Sequence, residues 1–199
     1  KTALKHGYIK SQKVSVYRDP LAHLEVEQSQ SRTLTEAQEA VYKQVAQALE
    51  AHQDQTFLLE GVTGSGKTEV YLQLMAKASQ MGRGAILLVP EIALTPQMVR
   101  QVKSRFQTGV AVLHSGLTNS QKYDEWRRII RGQATIVVGA RSSIFAPIRD
   151  LGLVIIDEEH ETTYKQSDTP RYHAREVAIW RCHYHQAPLL LGSATPSLE

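Results

Sequence analysis

The sequence has 199 residues, 42% hydrophobic and 22% charged, enough for one well-buried α/β domain with a short appendage. Its 23 basic residues exceed its 20 acidic ones by only three, so any surface for a polyanion has to be local. No apolar run reaches the ~20 residues of a membrane span and no leader pattern opens the sequence, so a cytoplasmic protein without a membrane partner is expected.

Residues 1–30 alternate like a short hairpin and then turn polar. They read as the end of a preceding domain plus a linker, with an edge hairpin packed on the main domain as the alternative. From Leu34 the pattern changes. A helical repeat over Thr35–Glu50 leads into the apolar run TFLLEG, and a helix through about Ser79 follows. Next come AILLVP, a helix from about Thr95, VAVLHS, a helix around 120–131, and TIVVGA. LGLVIIDEEH, a helix around 173–184, and PLLLGSAT close the series. Consecutive Val, Ile and Leu mark strands covered on both faces, and their alternation with helices predicts a doubly wound, mostly parallel sheet with helices on both faces. In such folds ligands sit at the carboxyl ends of strands, where GVTGSGKT, PEIALT, GARSS, DEEH and GSATPS fall. The lone Cys182 excludes an intrachain disulfide and a multi-cysteine zinc site within the chain, and its helical register beside Ala178 reads as buried and apolar.

GVTGSGKT, Gly61–Thr68, follows a predicted strand and opens a predicted helix, the context of a phosphate-binding loop. Gly61, Gly64 and Gly66 let the backbone turn, so that the N–H groups of the loop, Thr63 and Ser65 included, point at phosphate oxygens. Lys67 is expected on the β- and γ-phosphates and the Thr68 hydroxyl on Mg²⁺, with ATP as the nucleotide. Asp157 and Glu158 follow the strand LVII; one carboxylate can hold the metal while the other accepts a proton from water. His160 is expected against the SAT segment or the γ-phosphate side.

YKQSDTPRYHAR sets Tyr164, Tyr172 and His173 among Lys165, Arg171 and Arg175, pairing stacking faces with positive charge as single-stranded nucleic acid requires. A surface loop whose tyrosines pack back on the core is the alternative. Arg127, Arg128 and Arg131 read as a solvated helix face, Trp126 as partly buried, and His114 as strand-end structure rather than a metal ligand.

Taken in order, GVTGSGKT, VPEIALTPQ, LHSGL, VVGARS, DEEH and LGSATPS resemble the superfamily 2 helicases, and PEIALTPQ with DEEH resembles the bacterial primosomal replication-restart helicases among them. The likeness runs from about Leu34 to Glu199. It implies a RecA-like first helicase lobe over 31–199 and places residues 1–30 at the end of a winged-helix-like domain plus linker. It further implies a 3′→5′ DNA helicase acting on single-stranded and forked DNA. A second lobe in cis, a cysteine-rich zinc module outside this chain, and primosome and single-strand-binding proteins as partners come with it. By the same likeness Gln38 reads adenine, although Thr35-x-x-Gln38 is also a capping box. Thr95, Arg141 and Ser142 become contacts to one DNA strand, with ordinary helix capping as the alternative for Thr95 and Ser142. The loop from Tyr164 to Arg175 couples DNA to hydrolysis, and Ser193, Ala194 and Thr195 link the nucleotide site to movement. The 199 residues alone are then expected to bind nucleotide weakly and hydrolyse it very slowly. The rival readings are a small-molecule kinase, a nucleotide switch, and a double-stranded DNA translocase that never unwinds.

Overall fold

A computed structural model describes residues 26–62 and 64–194. Residues 1–25, Thr63 and 195–199, with the expectations attached to them, lie outside the described residues.

Among the described residues five helices carry the frame: α1 (Glu36–Glu50), α2 (Lys67–Gln80), α3 (Pro96–Phe106), α4 (Asn119–Ile130) and α5 (Ala174–His185). Local chemistry fixes their starts. Thr35 and Gln38 form a reciprocal capping box on α1, and Thr118 and Gln121 repeat it on α4. Thr95 caps α3, whose first residue is Pro96, so the missing N–H falls where no helical partner exists.

The main sheet holds β1 (Thr56–Glu60), β2 (Gly84–Leu88), β3 (Val110–Leu113), β4 (Ile136–Gly139), β5 (Leu151–Ile156) and β8 (Leu189–Ser193). A short pair, β6 (Lys165–Gln166) and β7 (Tyr172–His173), stands apart from it. The main strands pair in the order β1-β8-β5-β2-β4-β3, every pair parallel. On one face α1, α2 and α3 bury Val45, Leu49, Leu74 and Val102 against Leu87, Val138, Ile155 and Leu190. On the other, α4 and α5 bury Ile129, Ala178 and Cys182 against Ile86, Val137, Val154 and Leu189. The fold is therefore the doubly wound α/β sheet that the alternation of runs predicts.

Strands β2, β3, β4 and β5 are buried at every position, as consecutive apolar residues require. β1 departs from that expectation. It is an edge strand, and Leu58 is 53% exposed on the face that α5 covers only farther in, over β5 and β8. At the opposite edge α4 covers β3 with charge. The fully buried Glu125 accepts the Val112 N–H at 3.2 Å, and Arg128 donates to Val110 O at 3.3 Å and to Thr108 O. Arg128 is thus an edge cap rather than part of a solvated face, because the outer backbone groups of β3 have no strand beside them. Trp126 is half-buried against the same core.

Cys182 is 2% exposed, its thiol donates to Pro188 O at 3.6 Å, and burial pushes its pKa up to about 12. An aromatic disulfide reagent at about pH 8 is therefore expected to leave the folded chain unmodified and to react stoichiometrically after denaturation, as released thiolate absorbance would show.

Candidate functional site

All six strands of the main sheet run the same way, so their carboxyl ends line one edge. β1 leads into Gly61, β2 into Pro90, β3 into His114, β4 into Ala140, β5 into Asp157 and β8 into Ala194. The described parts of GVTGSGKT, PEIALT, GARSS, DEEH and GSATPS sit there.

At the end of β1 the chain turns through Gly64 and Gly66, both at φ +83°, and enters α2 at Lys67. A Cβ on Gly66 would lie 2.6 Å from Gln38 Nε2, so a side chain there would displace the Gln38 amide, and the left-handed backbone disfavours one as well. The Lys67 amine donates to Gly61 O at 2.5 Å and faces Glu158 Oε1 at 3.5 Å. Gln38 does two things at once. Its Oε1 accepts the Thr35 N–H at 2.9 Å, completing the capping box, and its Nε2 donates to Ser65 O at 2.8 Å. A cavity of about 290 Å³ opens over this loop, walled by Gly64–Glu69 on one side and by Asp157 and Glu158 on another. A left-handed glycine turn, the first amides of a helix, an amine and a hydroxyl beside two carboxylates are groups that could hold phosphate and a magnesium ion. Among the described residues no group of three or more His, Cys, Asp or Glu could hold a metal. A magnesium ion here would therefore take part of its shell from phosphate and water.

The acidic strand end is more constrained than its sequence suggests. Burial raises the Asp157 pKa and the neighbouring Glu158 adds to it, while a hydrogen bond from Tyr71 Oη to Asp157 Oδ1 at 2.9 Å and the Lys67 charge act the other way. Tyr71, one turn along α2 from Lys67, is fully buried and was not singled out from sequence. Its signal is a polar tip on an apolar helix stripe, which needs a partner in the core. Gly192 accommodates it: a Cβ there would lie 1.8 Å from the Tyr71 hydroxyl oxygen. Glu158 has φ +47°, a left-handed conformation uncommon for a side-chain-bearing residue. Its Oε2 accepts the Ala194 N–H at 3.2 Å, and His160 Nδ1 lies 2.9 Å from Ser193 Oγ. The structure thus brings Lys67, Asp157, Glu158, His160, Ser193 and Ala194 together.

The neighbouring strand ends enclose a second, larger groove of about 490 Å³, lined by Glu91, His114, Ser115, Lys122, Trp126, Arg141, Ser142 and Thr163, among others. Glu91 ties two of these loops together by accepting Ser115 N at 3.3 Å and the Ser115 hydroxyl. Thr95 and Ser142 are exposed; the Thr95 hydroxyl accepts Met98 N at 3.2 Å as a cap, which leaves its proton to donate. Arg141 turns inward instead. It donates to Thr163 O and Lys165 O at 3.0 Å each and to Gln166 Oε1 at 3.1 Å, beside the Tyr172 ring. Its Nε is buried without a partner among the described residues.

Residues 165–173 form a small antiparallel hairpin, β6 against β7, rather than an irregular loop. Lys165 and Arg171 are exposed on it and Tyr172 is half-buried. Tyr164 corrects an expectation. It is 1% exposed with its hydroxyl on Asp157 O at 2.6 Å, so it has no face to offer a base. Arg175 pairs with the buried Glu159 at 3.2 Å.

A glycine-rich turn that opens a helix, an acidic end on a strand of the same sheet and a groove along the same edge are the arrangement of a RecA-like P-loop lobe. The chain belongs to the DEAD/DEAH box helicase family, whose profile matches residues 35–199. It is similar to the replication restart protein PriA of Bacillus subtilis, 52% identical over all 199 residues, and to that of Synechocystis, 48% identical over 94% of the chain. These residues cover 25% and 22% of those proteins, so the chain spans about a quarter of their length. Among solved structures, RecG bound to a three-way DNA junction matches 83% of this chain and 21% of its own, with 26% identity and a TM-score of 0.61. The Hef helicase domain of Pyrococcus furiosus shares the RecA-like fold at TM-score 0.54 and 21% identity, over 82% of this chain and 33% of its own.

Proposed function

We propose that the chain is the first ATP-binding lobe of an ATP-dependent 3′→5′ DNA helicase that acts in replication restart and primosome assembly at forks. The observation that carries this reading is the single sheet edge on which the P-loop, the Asp157–Glu158 strand end and the groove beneath Arg141 meet. Half-identity to replication restart proteins supports the finer assignment. The whole protein would work in the cytoplasm on single-stranded and forked DNA, with primosome and single-strand-binding proteins as partners. Any zinc would be held outside this chain, whose one cysteine is buried.

In this reading the loop amides from Gly61 through Thr63, Gly64, Ser65 and Gly66, with Lys67, hold the phosphates. Gln38 reads adenine with the amide that now spans Thr35 and Ser65. Thr68 and Asp157 would hold Mg²⁺, which would supply positive charge against the phosphates. Glu158 takes the proton of the attacking water. A second lobe in cis supplies arginine, worth roughly 10³–10⁵ in rate, so the 199 residues alone turn over very slowly. Thr95, Ser142, Lys165, Arg171 and Tyr172 meet the DNA backbone and bases, whereas Arg141 is bonded to the first strand of the hairpin and Arg175 to Glu159. Movement of that hairpin reaches Glu158 through Tyr164 and the carbonyl of Asp157. His160, Ser193, Ala194 and Thr195 relay the nucleotide state onward.

The test is ATP hydrolysis by the full-length protein with no DNA, with single-stranded DNA and with a forked duplex. Strong stimulation, greatest with the fork, is expected. Hydrolysis indifferent to DNA would remove the helicase reading and favour a kinase or a nucleotide switch.

A further inference from the structure

Tyr71 follows Lys67 by four residues and Thr68 by three, so all three side chains leave α2 on one face. Two bonds run side by side from this face to the end of β5. Lys67 meets Glu158 at 3.5 Å, and one turn farther along the Tyr71 hydroxyl donates to Asp157 Oδ1 at 2.9 Å. The two differ in kind. Lys67 stands on the cavity wall, where phosphate can draw it away, whereas Tyr71 is fully buried in the core cluster that holds Leu59, Leu74 and Leu190. A hydroxyl in such surroundings needs a partner, and the Asp157 carboxylate supplies it.

Gly192, in β8 between β1 and β5, is matched to this bond. A Cβ there would lie 1.8 Å from the Tyr71 hydroxyl oxygen and 3.2 Å from Asp157 Oδ1. Its backbone gives no separate reason for glycine. Its φ is not positive, and it sits in regular parallel register opposite Leu59. Glycine inside a strand costs stability and marks a close approach, here that of the tyrosine hydroxyl.

The consequence falls on the carboxylate. Asp157 lines the cavity, and the bond to Oδ1 restrains its rotation about Cβ–Cγ, while a carboxylate keeps acceptor capacity for an ion. Magnesium tolerates little departure from octahedral geometry, so a carboxylate held in one orientation binds it better than one that turns freely. The same bond ties β5 to the helix that carries Thr68, so that the two groups proposed for the metal are held by one framework.

We propose that Tyr71 is a positioning residue for the magnesium-binding carboxylate of Asp157, and that position 192 is glycine because it has to admit the tyrosine hydroxyl; the proposal rests on the nucleotide reading above. Calorimetric ADP affinity of the full-length protein, without metal and across a range of Mg²⁺ concentrations, tests it. In Tyr71→Phe the metal-free affinity is expected to stay within about twofold. The Mg²⁺ concentration that gives half of the tightening is expected to rise roughly 10- to 100-fold, the usual effect when a metal ligand loses its hydrogen-bond partner. A half-point within about twofold of the unaltered protein overturns the proposal. So does equal weakening with and without Mg²⁺, which would assign Tyr71 to the packing of α2 alone. Gly192→Ala should raise the Mg²⁺ requirement in the same way, because its methyl displaces the hydroxyl, and it should lower the thermal midpoint. Adding Tyr71→Phe should restore most of that midpoint with no further rise in the requirement, since both substitutions remove one bond. Absence of that rescue overturns the claim for Gly192. If Tyr71→Phe fails to fold, Gly192→Ala carries the test, and an unaltered Mg²⁺ requirement in it overturns the proposal. Unaltered protein whose ADP binding Mg²⁺ does not strengthen overturns the metal role of Asp157 and this proposal but leaves the nucleotide reading; protein that binds no ADP overturns all three.

Discussion

Glu158→Gln is expected to lower ATP hydrolysis by the full-length protein by roughly 10²–10⁴-fold while ATP still binds, the usual effect of removing a general base. The geometry sharpens the expectation. Two donors converge on the Glu158 carboxylate from opposite sides, Lys67 Nζ at 3.5 Å and the Ala194 N–H at 3.2 Å. A carboxylate can accept from both; an amide has one oxygen and must turn its NH₂ toward the other donor. Glutamine therefore removes the base and also disturbs the link to Ala194. Single-turnover hydrolysis beside equilibrium ATP binding separates the two: the rate should collapse and the affinity should stay within several-fold. A rate within about tenfold of the unaltered protein would move the base role elsewhere.

The backbone at Glu158 belongs to the same account. Its φ of +47° costs of order 1 kcal/mol or more for a residue with a side chain. The surroundings hold it there: Asp157 N donates to Leu88 O at 2.9 Å, Glu159 N to Gly192 O at 2.9 Å, and Glu161 N to Glu158 O at 2.9 Å. Bonds on either side of the strained residue fix the turn, so the carboxylate is aimed by β2, β5 and β8 together. Tyr164, one residue before β6, donates its hydroxyl to the Asp157 carbonyl under the same turn.

How far the sequence reveals this depends on the kind of interaction. Consecutive apolar residues have one common solution, a parallel strand covered on both faces, so the sheet and the edge bearing the motifs were legible. β1 shows where that stops: TFLLE reads like the central strands, and only pairing order exposes Leu58. The positions of GVTGSGKT and DEEH at that edge were legible because each follows an apolar run directly. Long side chains were not, because a cation's sequence position does not reveal its partner. Arg141 turns back on residues 22 to 25 positions away, Arg128 caps an edge strand, and Arg105 clasps a segment some 75 positions earlier. Tyr164 is similar: among lysines and arginines it reads as a stacking face, yet it lies in the core.

Arg83→Ala is expected to cost about 2–5 kcal/mol of stability while leaving nucleotide affinity unchanged, because Arg83 serves the opposite edge of the sheet. It enters β2 at its amino end, is 4% exposed, and donates to Leu151 O at 2.7 Å and His185 O at 2.8 Å. Asp150 Oδ1 at 3.3 Å offsets its charge, though that carboxylate is itself largely exposed and contributes little. The stem runs so close to β5 that a Cβ on Gly152 would lie 2.6 Å from Arg83 Cβ. Alanine would strand two carbonyls and remove the packed stem, each carbonyl costing about 1–3 kcal/mol where water cannot reach it. Lysine should recover only part of this, since one ammonium cannot reproduce the guanidinium fork. Urea unfolding measures it: the midpoint should fall for Arg83→Ala with the slope unchanged, and less for Arg83→Lys. Equal midpoints for Arg83→Ala and the unaltered chain would mean that water replaces the guanidinium at Leu151 and His185. A loss of ADP affinity in a variant still fully folded would mean that the two edges of the sheet are not independent.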